Sequence, residues 1–239
     1  MNNLNLEFVN KFQQLEKLVK TLSNSGDETR FIDALNRVAD NNKYIKNNRG
    51  LFEDINALRN VFSHRERAKY VANVNKFALN ELEKIIESLK NPPTVISKYG
   101  CSVYQVSNNN EISQVMKVMT EKTYTHIPVW KEYYLDGFND FVGVFSYTSF
   151  FGWLTDRLEQ EDNPTFVKRF FNDINPKYLH SPVVNYDFIP ENKSVYEIPV
   201  IFEKNTASHK RFDCLLITPN GIRGEKITGI ITSWDLGSI

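Results

Sequence analysis

The sequence changes character at residues 91–93, Asn-Pro-Pro, and this change limits the possible folds more than any other feature. The N-terminal side contains no proline, and its apolar residues recur every three or four positions in four successive runs. The first run contains Phe8, Phe12, Leu15 and Val19. Such spacing places one apolar stripe on each helix, and the short polar segments between the runs favour antiparallel neighbours. Residues 1–92 are therefore predicted to form an all-α four-helix bundle.

Beyond residue 93 the pattern is mixed, because short β-rich segments alternate with helical ones. Strands are predicted at 102–106, 127–130, 141–146, 183–188, 212–217 and 227–232. Helices are predicted at 111–121, 148–159, 164–172 and 194–204. The order repeats after about 85 residues, which indicates an internal duplication. The chain is therefore expected to be an α+β protein of two domains, with a mixed β/α pair of repeats at 93–239 (about 94–160 and 181–239).

Two segments of the C-terminal half are especially similar, and both carry residues suited to a nucleotide. They are Gly143-Val-Phe-Ser-Tyr-Thr-Ser149 and Gly229-Ile-Ile-Thr-Ser-Trp-Asp235. A hydroxyl at the end of a strand, beside the free amides of a following helix, can contact a phosphate. A carboxylate three residues later can accept hydrogen bonds from two ribose hydroxyls. The same residues also suit a helix N-cap, with Thr232 or Ser233 as the cap and Asp235 complementing the helix dipole.

The wider context of these segments resembles the CBS-domain family. Gly-Ile-Ile-Thr-Ser-Trp-Asp-Leu at 229–236, preceded by Leu-Leu-Ile-Thr-Pro-Asn-Gly, is similar to the signature that closes one CBS repeat. Thr-His-Ile-Pro-Val at 125–129, followed by Phe-Val-Gly-Val-Phe-Ser, is similar to the same region of another. The resemblance covers residues 94–239 and implies a tandem CBS pair with two clefts. Clefts of this family bind AMP, ADP, ATP, S-adenosylmethionine or signalling nucleotides, and the ligand usually regulates an attached domain.

The resemblance also implies roles for individual residues. Thr232, with Ser233 beside it, is expected to contact phosphate, and Asp235 is expected to hold the ribose. The residues expected to flank the base are Tyr186, Phe188 and Ile189. In the first repeat Ser146 matches the hydroxyl position, but Ser149 occupies the acidic position and cannot hold a ribose diol equally well. That cleft is therefore expected to be weaker or empty.

The helical half contains a second motif, Arg59-Asn60-Val-Phe-Ser-His64. It resembles the R-x4-H motif of HEPN domains, small helical bundles of which many are metal-independent ribonucleases that act as dimers. A histidine can move a proton to or from a ribose oxygen, and an arginine can stabilise phosphate charge. On an ideal helix Arg59 and His64 are about 140° apart, so they converge only where the helix breaks or two chains meet. The alternative is that both are polar residues at a helix end that make a dimer contact.

Composition limits the partners. The chain has 29 Lys and Arg and 29 Asp and Glu, so no field of the whole chain attracts nucleic acid or an anionic membrane. The N-terminus lacks a secretory signal and the apolar runs are shorter than the roughly 18 residues of a membrane span, so a cytoplasmic protein without a membrane partner is expected. The histidines lack the spacing of metal ligands, and neither a metal nor a required cofactor is expected.

Together these patterns favour a dimeric, cytoplasmic sensor of adenine nucleotides. The helical bundle either cleaves RNA through Arg59, Asn60 and His64, or it serves dimerisation or partner docking without catalysis. A third hypothesis is an interaction scaffold whose clefts bind no ligand. The residues alone leave all three open.

Overall fold

The computed structural model describes residues 3–63, 73–131, 141–160, 169–209 and 211–238. Its contacts divide the chain into two compact units. The helical unit comprises Met1–Pro93 and Ser194–Val200, and the mixed unit comprises Thr94–Lys193 and Ile201–Ile239. The division after Pro93 coincides with the change in sequence pattern. The segment Ser194–Val200, which the pattern assigns to the second repeat, packs instead with the helical unit.

The described part of the helical unit has four helices of nine residues or more and one short helix. They are α1 (Asn3–Leu22), α2 (Phe31–Ala39), α3 (Lys43–Asn47), α4 (Arg49–Ser63) and α5 (Lys76–Lys90). The predicted stripe residues Phe8, Phe12, Leu15 and Val19 are fully buried on α1. The short α3 was not predicted; it begins because the side chain of Asn42 accepts a hydrogen bond from the backbone amide of Ile45.

The mixed unit contains two three-stranded sheets of the same topology. The first consists of β1 (Val106–Ser107), β2 (His126–Trp130) and β3 (Phe141–Ser146), and the second of β4 (Tyr186–Pro190), β5 (Cys214–Thr218) and β6 (Gly229–Thr232). In each sheet the first two strands are parallel and the last two antiparallel. The shared order and pairing agree with the predicted internal duplication.

Four helices of the described residues precede or follow these strands in the sequence. They are α6 (Val95–Tyr99), α7 (Ile112–Lys122), α8 (Tyr147–Gln160) and α9 (Ile198–His209). Short 3-10 helices occur at Phe171–Asp173, Pro176–Leu179 and Ser233–Ser238, and a further one, Val195–Glu197, lies in the segment that packs with the helical unit. The core of the first repeat is formed by buried residues of α7, α8 and the sheet, among them Met119, Ile127, Phe145 and Trp153.

The strand register aligns the two motif segments. Ser146 is paired with His126 across β2 and β3, and Thr232 is paired with Cys214 across β5 and β6. Ser146 and Thr232 are therefore equivalent positions at the ends of equivalent strands. The preceding Gly143 is required by a close approach, because a Cβ at this position would lie 2.4 Å from the carbonyl oxygen of Leu179.

Candidate nucleotide cleft

A cavity of about 460 Å³ opens beside Thr232 and Asp235 in the mixed unit. Three separate segments line it: Cys101, Ser102, Val103 and Tyr104; Thr123, Tyr124, Thr125 and His126; and Ile230, Thr232, Trp234 and Asp235. Cavities of about 300–1,000 Å³ with mostly apolar walls and a few polar groups are typical of small-molecule sites. Two of the segments come from the first repeat and one from the second, so the cleft is shared between the repeats.

Thr232 and Asp235 are bonded to each other at this cleft. The Oδ2 atom of Asp235 accepts hydrogen bonds from the backbone amide of Thr232 at 2.7 Å and from its hydroxyl at 2.9 Å. The carboxylate thereby holds the turn in which β6 ends and the 3-10 helix Ser233–Ser238 begins. Ser233 itself is exposed and is not among the residues that line the cavity. The pair therefore has a structural role in addition to any contact with a ligand.

Aromatic side chains form much of the cleft wall. The rings of Tyr104 and Tyr124 are stacked, with centroids 6.2 Å apart and an interplanar angle of 25°. Burial raises the pKa of Tyr104 above its ordinary value. Trp234 leaves 84% of its surface exposed at the rim. Flat aromatic surfaces of this kind can stack against a nucleobase.

The equivalent residues of the first repeat are closed off. Ser146 and Ser149 are buried, and each backbone amide or hydroxyl of the pair is bonded to the other residue at 3.1–3.2 Å. Next to them, Arg211 donates to the hydroxyl of Thr148 at 3.1 Å and to Oδ1 of Asp213 at 2.6 Å. The hydroxyls of both serines are therefore engaged inside the protein and are not presented to a ligand.

Tyr186, Phe188 and Ile189 do not lie at the Thr232 cleft, contrary to the expectation from the sequence. Tyr186 and Phe188 line a different cavity of about 420 Å³ together with His180 and Arg223. Ile189 is buried and pairs with Ile217 in the sheet.

These residues lie elsewhere because the first repeat, and not the second, supplies the segment beside Thr232. Val106 pairs with Val129 as Ile189 pairs with Ile217, so residues 101–104 of the first repeat are the equivalents of 184–187 of the second. The amide of Cys101 donates to the carbonyl oxygen of Thr228, which carries this segment across to β6. The walls beside Thr232 therefore come from the first repeat. The sequence prediction placed the residues that flank the base in the same repeat as Thr232, so Tyr104 and Tyr124 were not predicted.

The buried carboxylate of Asp213 lies between residues that line the two cavities. Nε2 of His126 lies 3.8 Å from Oδ1 of Asp213, beyond hydrogen-bond distance, and Oδ2 of Asp213 accepts the backbone amide of Asn185 at 2.9 Å. His126 lines the first cavity, and Asn185 lines the second. Burial raises the pKa of Asp213, but the His126 ring, the Asn185 amide and Arg211 together lower it further, so the pKa lies below its usual range.

In the helical unit, Arg59 packs against α1. Its guanidinium lies 5.3 Å from the centre of the Phe12 ring, 3.8 Å from Oε2 of Glu16, and donates to Oδ1 of Asn60 at 3.1 Å. His64 lies outside the described residues. The convergence of Arg59 and His64 in an R-x4-H site therefore stays a prediction.

Within the described ranges, no group of three or more His, Cys, Asp or Glu residues is placed to hold a metal ion. Among the helices that the structure describes, none is long and apolar enough to cross a membrane.

No protein-family model matches the sequence. No curated protein matches it. Solved structures with CBS domains are similar in fold. A conserved CBS-domain protein from Thermoplasma acidophilum is 14% identical, with a TM-score of 0.41 over 62% of this chain and 68% of that one. A CBS-domain pair solved with 5′-methylthioadenosine and S-adenosyl-L-methionine is 14% identical, with a TM-score of 0.39 over 62% and 94%. The CBS domain of a bacterial CNNM/CorC-family Mg²⁺ transporter, solved with ATP, is 16% identical, with a TM-score of 0.38 over 66% and 92%.

Proposed function

We propose that the mixed unit is a regulatory module that binds an adenine nucleotide or nucleoside in the cleft beside Thr232 and Asp235. The observation that carries this proposal is the position of Thr232 at the end of β6 and of Asp235 in the 3-10 helix that follows, both lining a cavity of about 460 Å³ walled by Tyr104 and Tyr124. A carboxylate at the end of a strand can hold a ribose diol, and aromatic walls can receive a base. The choice of adenine follows from the CBS-like motif of the sequence.

In the proposed complex the ribose hydroxyls bond to Asp235, adding to or replacing the bonds that hold Thr232. The adenine ring lies against the tyrosine wall. The first-repeat position is not part of this site, because the Ser146 and Ser149 side chains are bonded to each other. One ligand per chain is therefore expected.

The helical unit is proposed to transmit the nucleotide state by dimerisation or by docking a partner. The contacts of Arg59 favour this role over RNA cleavage, because its guanidinium is engaged with Phe12, Glu16 and Asn60 inside the unit. Sedimentation of the purified protein with and without ligand tests for a homodimer. Metal-free cleavage of RNA that disappears in His64→Ala would instead establish a ribonuclease.

Thermal unfolding with AMP, ADP, ATP, S-adenosylmethionine and 5′-methylthioadenosine tests the binding site. A ligand at 100 times its dissociation constant stabilises the folded state by about 2.7 kcal/mol, which raises Tm by about 5–10 °C for a unit of this size. Asp235→Ala should abolish the shift. Asp187→Ala, which removes a carboxylate outside the cleft, is the matched control and should keep it. No shift with any of the five ligands, or an undiminished shift in Asp235→Ala, would refute the assignment.

A further inference from the structure

The backbone has an unusual conformation at Thr123, the residue that ends α7. Its φ of 57° and ψ of 29° are left-handed, and among the described residues only Thr123 and Asn24 have a positive φ without being glycine. Glycine is favoured where a helix ends in this conformation, because it has no Cβ to collide with the backbone. A β-branched residue is an outlier there. Thr123 therefore carries a conformational cost that glycine would avoid.

This left-handed turn lies at the proposed cleft. The amides of Thr123 and Tyr124 both donate to the carbonyl oxygen of Met119, a fully buried residue of the first repeat. The ring of Tyr124 stacks on that of Tyr104, and Thr123 lines the cavity together with both tyrosines. A glycine could make the same turn, so the turn explains the left-handed backbone but not the threonine. Costly backbone conformations of this kind are concentrated at binding and active sites, which directs attention to the side chain.

The hydroxyl of Thr123 is left with acceptor capacity only. A hydroxyl has one hydrogen and two lone pairs, and Oγ1 of Thr123 donates its hydrogen to the carbonyl oxygen of Lys122 at 2.6 Å. Thr123 is exposed at the cavity and is next in sequence to Tyr124, against which the base is proposed to lie. A group of the ligand that bonds to Oγ1 must therefore be a hydrogen-bond donor.

Purine bases differ in the group that they present at one edge. Adenine carries a 6-amino group, which is a donor, whereas guanine and hypoxanthine carry a 6-oxo group, which is an acceptor. The amino group can bond to an oxygen that only accepts. A 6-oxo group at the same place would face another acceptor, and both oxygens would lose their bonds to water without replacement.

We infer that Thr123 is a specificity-determining residue of the cleft, whose hydroxyl accepts a hydrogen bond from the 6-amino group of the base and so disfavours 6-oxopurines. The inference rests on the proposed function, because it assumes that a purine lies against the wall of Tyr104 and Tyr124. It adds the residue that distinguishes one base edge from another. It also gives a reason for threonine at a position where glycine is less strained.

Calorimetric titration of the full chain with adenosine and AMP, and with their 6-oxo counterparts inosine and inosine 5′-monophosphate, tests this role. Wild type should bind each 6-amino ligand about tenfold more tightly than its 6-oxo counterpart, which corresponds to one hydrogen bond. Thr123→Val keeps the β-branched shape without the hydroxyl and should lose this preference. Thr123→Ser keeps the hydroxyl and should keep the preference.

The outcomes separate the inference from the proposed function. If wild type binds adenosine or AMP and Thr123→Val retains the tenfold preference, the inference is wrong but the proposed site stands. If wild type binds none of the four ligands, the proposed function fails and the inference fails with it.

Thr123→Gly distinguishes ligand recognition from a role in the fold. This variant removes the strained side chain, so the midpoint of urea unfolding should not fall, while the preference for the 6-amino ligands should disappear. Asn24→Gly, at the other left-handed residue, changes the helical unit and is the control that should keep the preference. A lower midpoint in Thr123→Gly with the preference intact would show that the threonine serves the fold alone and would overturn the inference.

Discussion

Asp213→Ala is expected to destabilise the mixed unit strongly at neutral pH. The Asp213 side chain is only 4% exposed, and it accepts the buried amide of Asn185 and the guanidinium of Arg211. Alanine removes the carboxylate and leaves the Asn185 amide without this acceptor. A hydrogen bond to a charged group contributes about 1.5–3 kcal/mol, and an unsatisfied buried donor costs about 1–3 kcal/mol. The Arg211 pair is half exposed and contributes little, so we expect a total loss of about 2–4 kcal/mol.

The pH dependence of this loss follows from the pKa of Asp213. That pKa is lower in the folded protein than in the unfolded chain, because the His126 ring, the Asn185 amide and Arg211 outweigh the effect of burial. The stabilisation by Asp213 is therefore fully present above the unfolded pKa of about 3.9 and is lost as the pH falls through the folded value. The difference between wild type and Asp213→Ala should be largest near neutral pH and should shrink in acid.

Urea unfolding followed by tryptophan fluorescence measures this difference in the mixed unit alone. All three tryptophans of the chain, Trp130, Trp153 and Trp234, lie in that unit. Asp187→Ala is the control, because it removes an exposed carboxylate and should change the free energy of unfolding by less than about 0.5 kcal/mol. A loss below about 1 kcal/mol in Asp213→Ala, or a loss that stays constant into acid, would refute this reasoning.

Two further predictions concern close packing and thiol reactivity. Gly143→Ala should destabilise the mixed unit by about 2–3 kcal/mol in the same urea assay, because the added Cβ would meet the backbone of Leu179. Gly237→Ala is the control and should be neutral, because a Cβ at that position has open space. Equal stability of the two variants would contradict the close approach at Gly143. A thiol reagent should modify the exposed Cys101 in the native protein and reach Cys214 only on unfolding, because burial raises the pKa of the Cys214 thiol. Mass spectrometry distinguishes the two sites, and early modification of Cys214 would show that this strand is not buried.

Local sequence pattern was sufficient to predict several elements whose own apolar residues form part of a core. The predicted strand at 141–146 coincides with β3, and the predicted strand at 127–130 and helix at 111–121 differ from β2 and α7 by one residue at most at each end. These segments bury apolar residues at regular spacing, so their own side chains determine their conformation. The sequence singled out Thr232 and Asp235 by their spacing of three residues; the bonds between them were not predicted, and their roles toward a ligand stay predictions.

The walls of the cleft could not be predicted in this way. The strand expected at 102–106 begins only at Val106, because Cys101 bonds to Thr228 in the other repeat and the residues between line a cavity. Tyr186 and Phe188 line the other cavity because residues of the first repeat occupy the wall beside Thr232. Both outcomes depend on which repeat supplies the neighbour, and a contact across more than a hundred residues leaves no local pattern.

A crystal structure of the full chain with the tightest-binding adenosine ligand is the most direct test of the proposed cleft. We predict that both ribose hydroxyls lie within about 2.5–3.0 Å of the Asp235 carboxylate, as charge-assisted hydrogen bonds require, and that the adenine ring contacts Tyr104 or Tyr124. Ligand density in the cavity of His180 and Arg223 instead, with the Thr232 cleft empty at saturating ligand, would contradict the account.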